Sequence, residues 1–139
     1  MKILEANAGL LSNFEVLDLL RSRGADKGFL GAVGAVTPSE CKVYDYLVQS
    51  PAGTQTREKV QDFLKEAEQY SLTKAERLQA SNIRPISAVE VHLIVEDCDE
   101  RLSSAMVDRF VGSVEEKLPP PPEQSDETAE QGETEMETE

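Results

Sequence analysis

Only two cysteines and one histidine occur in the 139 residues. Cys41 and Cys98 stand far apart and form no Cys-x-x-Cys pair. A zinc site takes about four nitrogen or sulfur ligands, so none is available, and both cysteines read as small buried thiols in a reducing compartment. No apolar run approaches the ~18–20 residues that a membrane span needs. The opening Met1-Lys2-Ile3-Leu4-Glu5-Ala6-Asn7 has too short an apolar stretch and too early an acid for a secretory signal. Bases are scarce: 14 Lys and Arg face 27 Asp and Glu, a formal net charge of -13. Eight of the acids fall in residues 119–139, which hold no base, so residues 1–118 carry 19 acids and a net charge of -5. Phosphate affinity rests on neutralisation by Lys and Arg, so a body of this charge is a poor autonomous binder of nucleic acid.

Recognisable chemistry is missing too. There is no nucleophile elbow, no Cys–His motif and no carboxylate pair in an apolar setting, which excludes a legible catalytic centre and implies no cofactor. Asp97, Asp99 and Glu100 lack the central glycine of a calcium loop and read as a solvated turn. Gly24, Gly28, Gly31 and Gly34 recur closely but precede no Gly-Lys-Ser/Thr, so they mark a flexible linker and not a phosphate cradle.

What the sequence has is a repeated helix start. A Ser or Thr followed three residues later by Glu forms a capping box, in which hydroxyl and carboxylate satisfy orphan backbone donors reciprocally. It occurs at Ser12/Glu15, Thr37/Glu40, Thr73/Glu76 and Ser87/Glu90. Each cap contributes ~1 kcal/mol, and four together predict an all-α protein. Apolar stripes at helical spacing agree: Cys41, Tyr44, Leu47 and Val48; Val60, Phe63, Leu64 and Ala67; Leu72, Ala75, Leu78 and Ile83; Val107, Phe110, Val111, Val114 and Leu118. Residues 86–95 are β-branched and partly alternating, which favours a strand by propensity. The Ser87 cap and the helical set Val91, Ile94, Val95, Cys98 and Leu102 predict instead a short, largely buried helix, with His92 a packing or surface residue.

Near the N-terminus, Leu10, Leu11, Phe14, Val16, Leu17, Leu19 and Leu20 surround most of a helix. A helix apolar on most sides needs cover on more than one side. It either folds back on the bundle or is covered by a second protein. The expected organisation is an arm at 1–23, a glycine-rich linker at 24–36, a bundle at 37–118 and a disordered acidic tail at 119–139.

Leu72-Thr73-Lys74-Ala75-Glu76-Arg77-Leu78-Gln79, Asn82-Ile83-Arg84-Pro85, Ala88-Val89-Glu90, Ile94-Val95-Glu96 and Glu100-Arg101-Leu102 form an ordered set. With the opening Asn7-Ala8-x-Leu10-Leu11-Ser12-Asn13-x-Glu15-Val16, this set resembles the stalk-subunit family of RNA polymerases. The form it resembles is the ninth subunit of polymerase III, related to the fourth subunit of polymerase II and the archaeal F subunit. The resemblance implies a helical bundle similar to the helicase-and-RNase-D C-terminal (HRDC-like) domain, with an arm packed on a partner subunit. It implies a non-catalytic nuclear subunit in a heterodimer with the barrel-bearing stalk subunit, which is related to the seventh subunit of polymerase II. That pair would meet the polymerase III core and initiation factors, start transcription of small non-coding RNA genes, and touch nucleic acid mainly through the partner. Ile3, Leu4, Leu10, Leu11, Phe14, Val16, Leu17 and Leu20 are the expected partner-binding residues. Leu72, Thr73, Glu76, Leu78, Asn82, Arg84, Pro85 and Glu90 carry the family signature; Thr73 and Glu76 read as a cap, while Arg84 either pairs with an acid or meets a partner. The alternatives are the equivalent subunit of polymerase II or another polymerase, and a stand-alone nucleic-acid-binding helical module.

Overall fold

A computed structural model describes residues 2–27 and 36–122. Among them the regular structure is all helical. The α-helices are α1 (Asn13–Ser22), α2 (Pro38–Gln49), α3 (Arg57–Ala67), α4 (Lys74–Ile83), α5 (Ala88–Ile94), α6 (Cys98–Arg101) and α7 (Ser104–Lys117). Short 3-10 turns at Ala25–Lys27, Pro51–Thr54 and Glu68–Tyr70 join them. The acidic stretch 123–139 and most of the glycine-rich linker, residues 28–35, lie outside the described residues.

Local capping explains where the helices begin. Both halves of the box form at Ser12/Glu15, Thr37/Glu40 and Thr73/Glu76. At Ser87 only half forms: the hydroxyl accepts from the Glu90 N–H, while the Glu90 carboxylate takes the Ile86 N–H. Thr56 and Ser103 also cap α3 and α7, accepting from the N–H groups of Lys59 and Met106. Pro38 starts α2 in the first turn, where its missing N–H costs nothing.

The core is built on α3 and α7. Phe63 and Phe110 are fully buried with ring centroids 6.0 Å apart, and Tyr70 meets Phe110 edge-on at 5.2 Å. The Tyr70 hydroxyl lies 3.0 Å from Ser113 Oγ, which donates to Glu66 Oε1 at 2.9 Å. Tyr70 is therefore the donor to Ser113, and Lys117 Nζ closes the chain at 3.4 Å from Glu66. This satisfies a buried phenol that would otherwise cost ~1–3 kcal/mol. Between α2 and α3, Gly53 sits so close to Val48 that a Cβ there would run into the Val48 carbonyl oxygen.

Helix α1 lies against α2 and the Pro51–Thr54 turn, so it folds back on the bundle. Phe14 and Leu17 join the main core, and Leu20 packs with Ala25 and Val36 in a smaller cluster. The stripe assigned to α4 is rotated. Glu76, Ala80 and Ser81 form its buried face, while Ala75 and Ile83 are exposed, because an ion pair makes Glu76 compatible with burial. Finally, α5 is a helix as expected but is not largely buried. Val91 is inside, whereas Val89 and Leu93 face water, because α4 and α7 cover one side only. Cys98 is buried, but Cys41 is only half-buried.

Candidate partner-binding site

The chain running into α1 is apolar and uncovered. Ile3, Leu4, Leu10 and Leu11 are 75, 90, 66 and 55 % exposed. The expected partner-binding set therefore splits: these four are free to meet another surface, Phe14, Leu17 and Leu20 are consumed by the chain's own core, and Val16 is half-buried between the two clusters. The split follows from helical geometry. Residues 14 and 17 lie on the face of α1 turned inward, and residues 10 and 11 precede the helix.

Two adjoining clefts open beside these leucines. One, of about 560 Å³, runs between α1 and α3, with Leu11, Leu19, Val60 and Arg57 along it. The other, of about 430 Å³, carries Leu10, Leu78, Lys65, Lys74 and Arg77. Glu15, Gln61 and Leu64 line both and form the ridge between them. The lining is close to balanced in charge, with four bases (Arg57, Lys65, Lys74, Arg77) against three acids (Glu15, Asp18, Glu68): Arg57 donates to Asp18 at 2.8 Å, and Arg77 lies 3.6 Å from Glu68. A surface of leucines edged by nearly balanced charge suits a protein, not phosphate. Sequence reasoning missed Leu19, Gln61 and Leu64 as members of this face. Nothing local in the sequence places α3 and α4 beside α1.

Most of the family-signature residues set the frame behind that surface. Asn82 Oδ1 accepts from the Asn13 N–H at 2.8 Å, so the last turn of α4 satisfies an orphan donor at the start of α1 and fixes where the N-terminal segment leaves the bundle. Arg84, at φ 53°, ends α4 in the left-handed region. Its Nε and Nη2 donate to the Leu118 carbonyl at 3.2 and 3.1 Å. That carbonyl caps the C-terminal end of α7, where the helix dipole favours a cation. Arg84 is thus a buried clamp between the end of α4 and the end of α7, and burial lowers its pKa from the ordinary value. Pro85 is fully buried behind it. Leu72 is buried, Leu78 lines a cleft, and Glu90 caps the approach to α5.

Thr73 and Glu76 form a cap, as their spacing indicates, and Glu76 does more. Arg101 donates from Nη1 and Nη2 to its two carboxylate oxygens at 2.6 and 2.9 Å, and also to the carbonyls of Glu96 and Ser71. The Arg101 guanidinium holds the Glu76 carboxyl down from 4.5 to about 2, against the opposing effect of burial. The pair fastens α4 to α6. Among the described residues no three His, Cys, Asp or Glu side chains group closely enough to hold a metal ion, and no helix is long and apolar enough to cross a membrane.

Comparison with known proteins gives this frame its name. The family described as RNA polymerase Rpb4 matches residues 10–117, most of the chain and every helix from α1 to α7. The chain belongs to the RNA polymerase Rpb4 family. One relative is the DNA-directed RNA polymerase III subunit rpc9 of Dictyostelium discoideum, 35 % identical over 115 residues, covering 77 % of this chain and 85 % of the relative. The Rpb4-family match begins at Leu10. It therefore includes the exposed Leu10–Leu11 pair but not Ile3 or Leu4.

Proposed function

We propose that this chain is the non-catalytic stalk subunit of nuclear DNA-directed RNA polymerase III. It forms a heterodimer with the barrel-bearing stalk subunit and acts in transcription initiation of small non-coding RNA genes. The polymerase III relative across 85 % of its own length supports the choice of polymerase. The observation that carries the partner is the uncovered leucine surface, with Leu10 and Leu11 beside two clefts of the same α1–α3–α4 face. Burying a leucine is worth about 1.5–3 kcal/mol before association costs, so a few such anchors suffice for a lasting heterodimer.

The refined partner-binding set is Ile3, Leu4, Leu10, Leu11 and Leu19, with Phe14, Leu17 and Leu20 acting indirectly by holding α1 in place. The net charge of -5 outside the acidic stretch leaves nucleic acid to the partner. The test is co-expression with the barrel-bearing subunit. Leu10→Asp with Leu11→Asp should abolish co-purification while the circular dichroism of the chain is unchanged. Retained co-purification by that double variant would remove the leucine surface as the interface.

A further inference from the structure

A second apolar face lies elsewhere on the bundle. Ile83 at the end of α4, Ile86 before α5, and Val89 and Leu93 on α5 are 49, 53, 69 and 82 % exposed. Val89 and Leu93 are four residues apart on α5 and share one of its faces, with Ile86 just before that helix and Ile83 ending α4 on the other side of the Arg84 turn, so the four adjoin along the chain and are not scattered surface residues. The opposite side of α5 is already occupied, with Val91 and Val95 in the core against α7. A helix apolar on two sides is covered on two sides in its working state. The described residues cover one.

The charge beside this stripe indicates what covers the other. Glu96, Asp97, Asp99 and Glu100 follow α5 and are all exposed. Arg101, the nearest base in sequence, is absorbed by Glu76 and by two backbone carbonyls. The half-exposed His92 lies 3.6 Å from Asp99. The face is therefore an apolar stripe ending in an acidic rim. Nucleic acid is repelled by it. So is the chain's own acidic stretch at 123–139, with its eight acids. A second copy meeting through the same face would bring acids against acids.

We propose that the outer face of α5 is a second docking surface, occupied by a basic amphipathic helix of another protein. That helix lays an aliphatic stripe along Ile86, Val89 and Leu93 and sets Lys or Arg against Asp97, Asp99 and Glu100. This surface does not involve the leucines at positions 10 and 11, and the inference does not depend on which polymerase the chain serves.

The test uses the full chain and a labelled amphipathic peptide of Leu and Lys, with a Leu and Glu peptide of the same pattern as control. Fluorescence anisotropy should show the Lys peptide binding and the Glu peptide failing. Val89→Ser with Leu93→Ser should weaken binding at least about tenfold, and Asp99→Lys with Glu100→Lys should weaken it and flatten its dependence on salt. Both pairs are solvent-exposed, so unchanged thermal melting is expected and verifies the fold. Undiminished binding by the serine variant would place the peptide on other acids, such as those of residues 123–139, and overturn the proposal. Equal binding of both peptides would overturn the charge argument. Concentration-dependent dimerisation of the chain that Leu93→Ser abolishes would name a second copy as the occupant and overturn it as well.

Discussion

Glu76 is the residue at which a single added proton should be felt throughout the bundle. Its carboxylate is 8 % exposed, caps α4 through the Thr73 N–H at 2.9 Å, and receives two hydrogen bonds from Arg101. The drop from 4.5 to about 2 corresponds to about 3 kcal/mol by linkage. The Arg101 side chain keeps 31 % of its surface in water, and screening there reduces the contribution to about 2–3 kcal/mol. Because the folded value is depressed, this stability is fully present above about pH 4.5 and is lost as pH falls toward 2. Glu76→Gln preserves shape but not charge, so at pH 7 it should lower the melting temperature by about 10 °C. The gap between wild type and variant should close between pH 4.5 and pH 2. In the Glu76→Gln background, Arg101→Met should cost less than it does in the wild type, the remaining loss being its hydrogen bonds to the Glu96 and Ser71 carbonyls. Thermal melts followed by circular dichroism across that pH range decide the matter. A gap that stays constant with pH would refute the ion-pair reasoning and leave only packing or capping.

Phe14→Asp with Leu17→Asp should unfold the bundle, not merely release an arm, since both residues sit in the main core; loss of helix signal in the isolated chain checks this, against the unchanged signal expected for Leu10→Asp with Leu11→Asp. Gly53→Ala should destabilise by about 1–3 kcal/mol in chemical denaturation, because the new methyl meets backbone, not a movable side chain. Arg84→Leu keeps much of the bulk but leaves the Leu118 carbonyl without its two donors. It should cost about 1–3 kcal/mol, and hydrogen exchange should rise at the end of α7.

The capping boxes were legible because their physics spans four residues: Ser12, Thr37 and Thr73 each meet a Glu three positions on. Thr56 and Ser103 escaped because Lys59 and Met106 stand where the Glu would, leaving only the hydroxyl half of the motif. The inward face of α4 was not legible. Its buried Glu76 is acceptable only through Arg101, 25 residues away, and a pattern of apolar residues does not contain that pairing. The same limit applies to the candidate site. The oily character of residues 3–20 was plain, but which leucines serve the core and which remain outside depends on how α1 lies on α2 and on the Pro51–Thr54 turn. The family signature was readable as a set of residues, while its meaning as a frame came from contacts such as Asn82 to Asn13, separated by 69 positions.

Membership of a polymerase stalk is tested most directly by affinity capture of the tagged full-length chain from nuclear extract, with mass spectrometry of what comes with it. The account predicts the large subunits particular to polymerase III, together with a barrel-bearing partner that is lost with Leu10→Asp and Leu11→Asp. Capture of polymerase II subunits instead, or of no polymerase subunits at all, would contradict it.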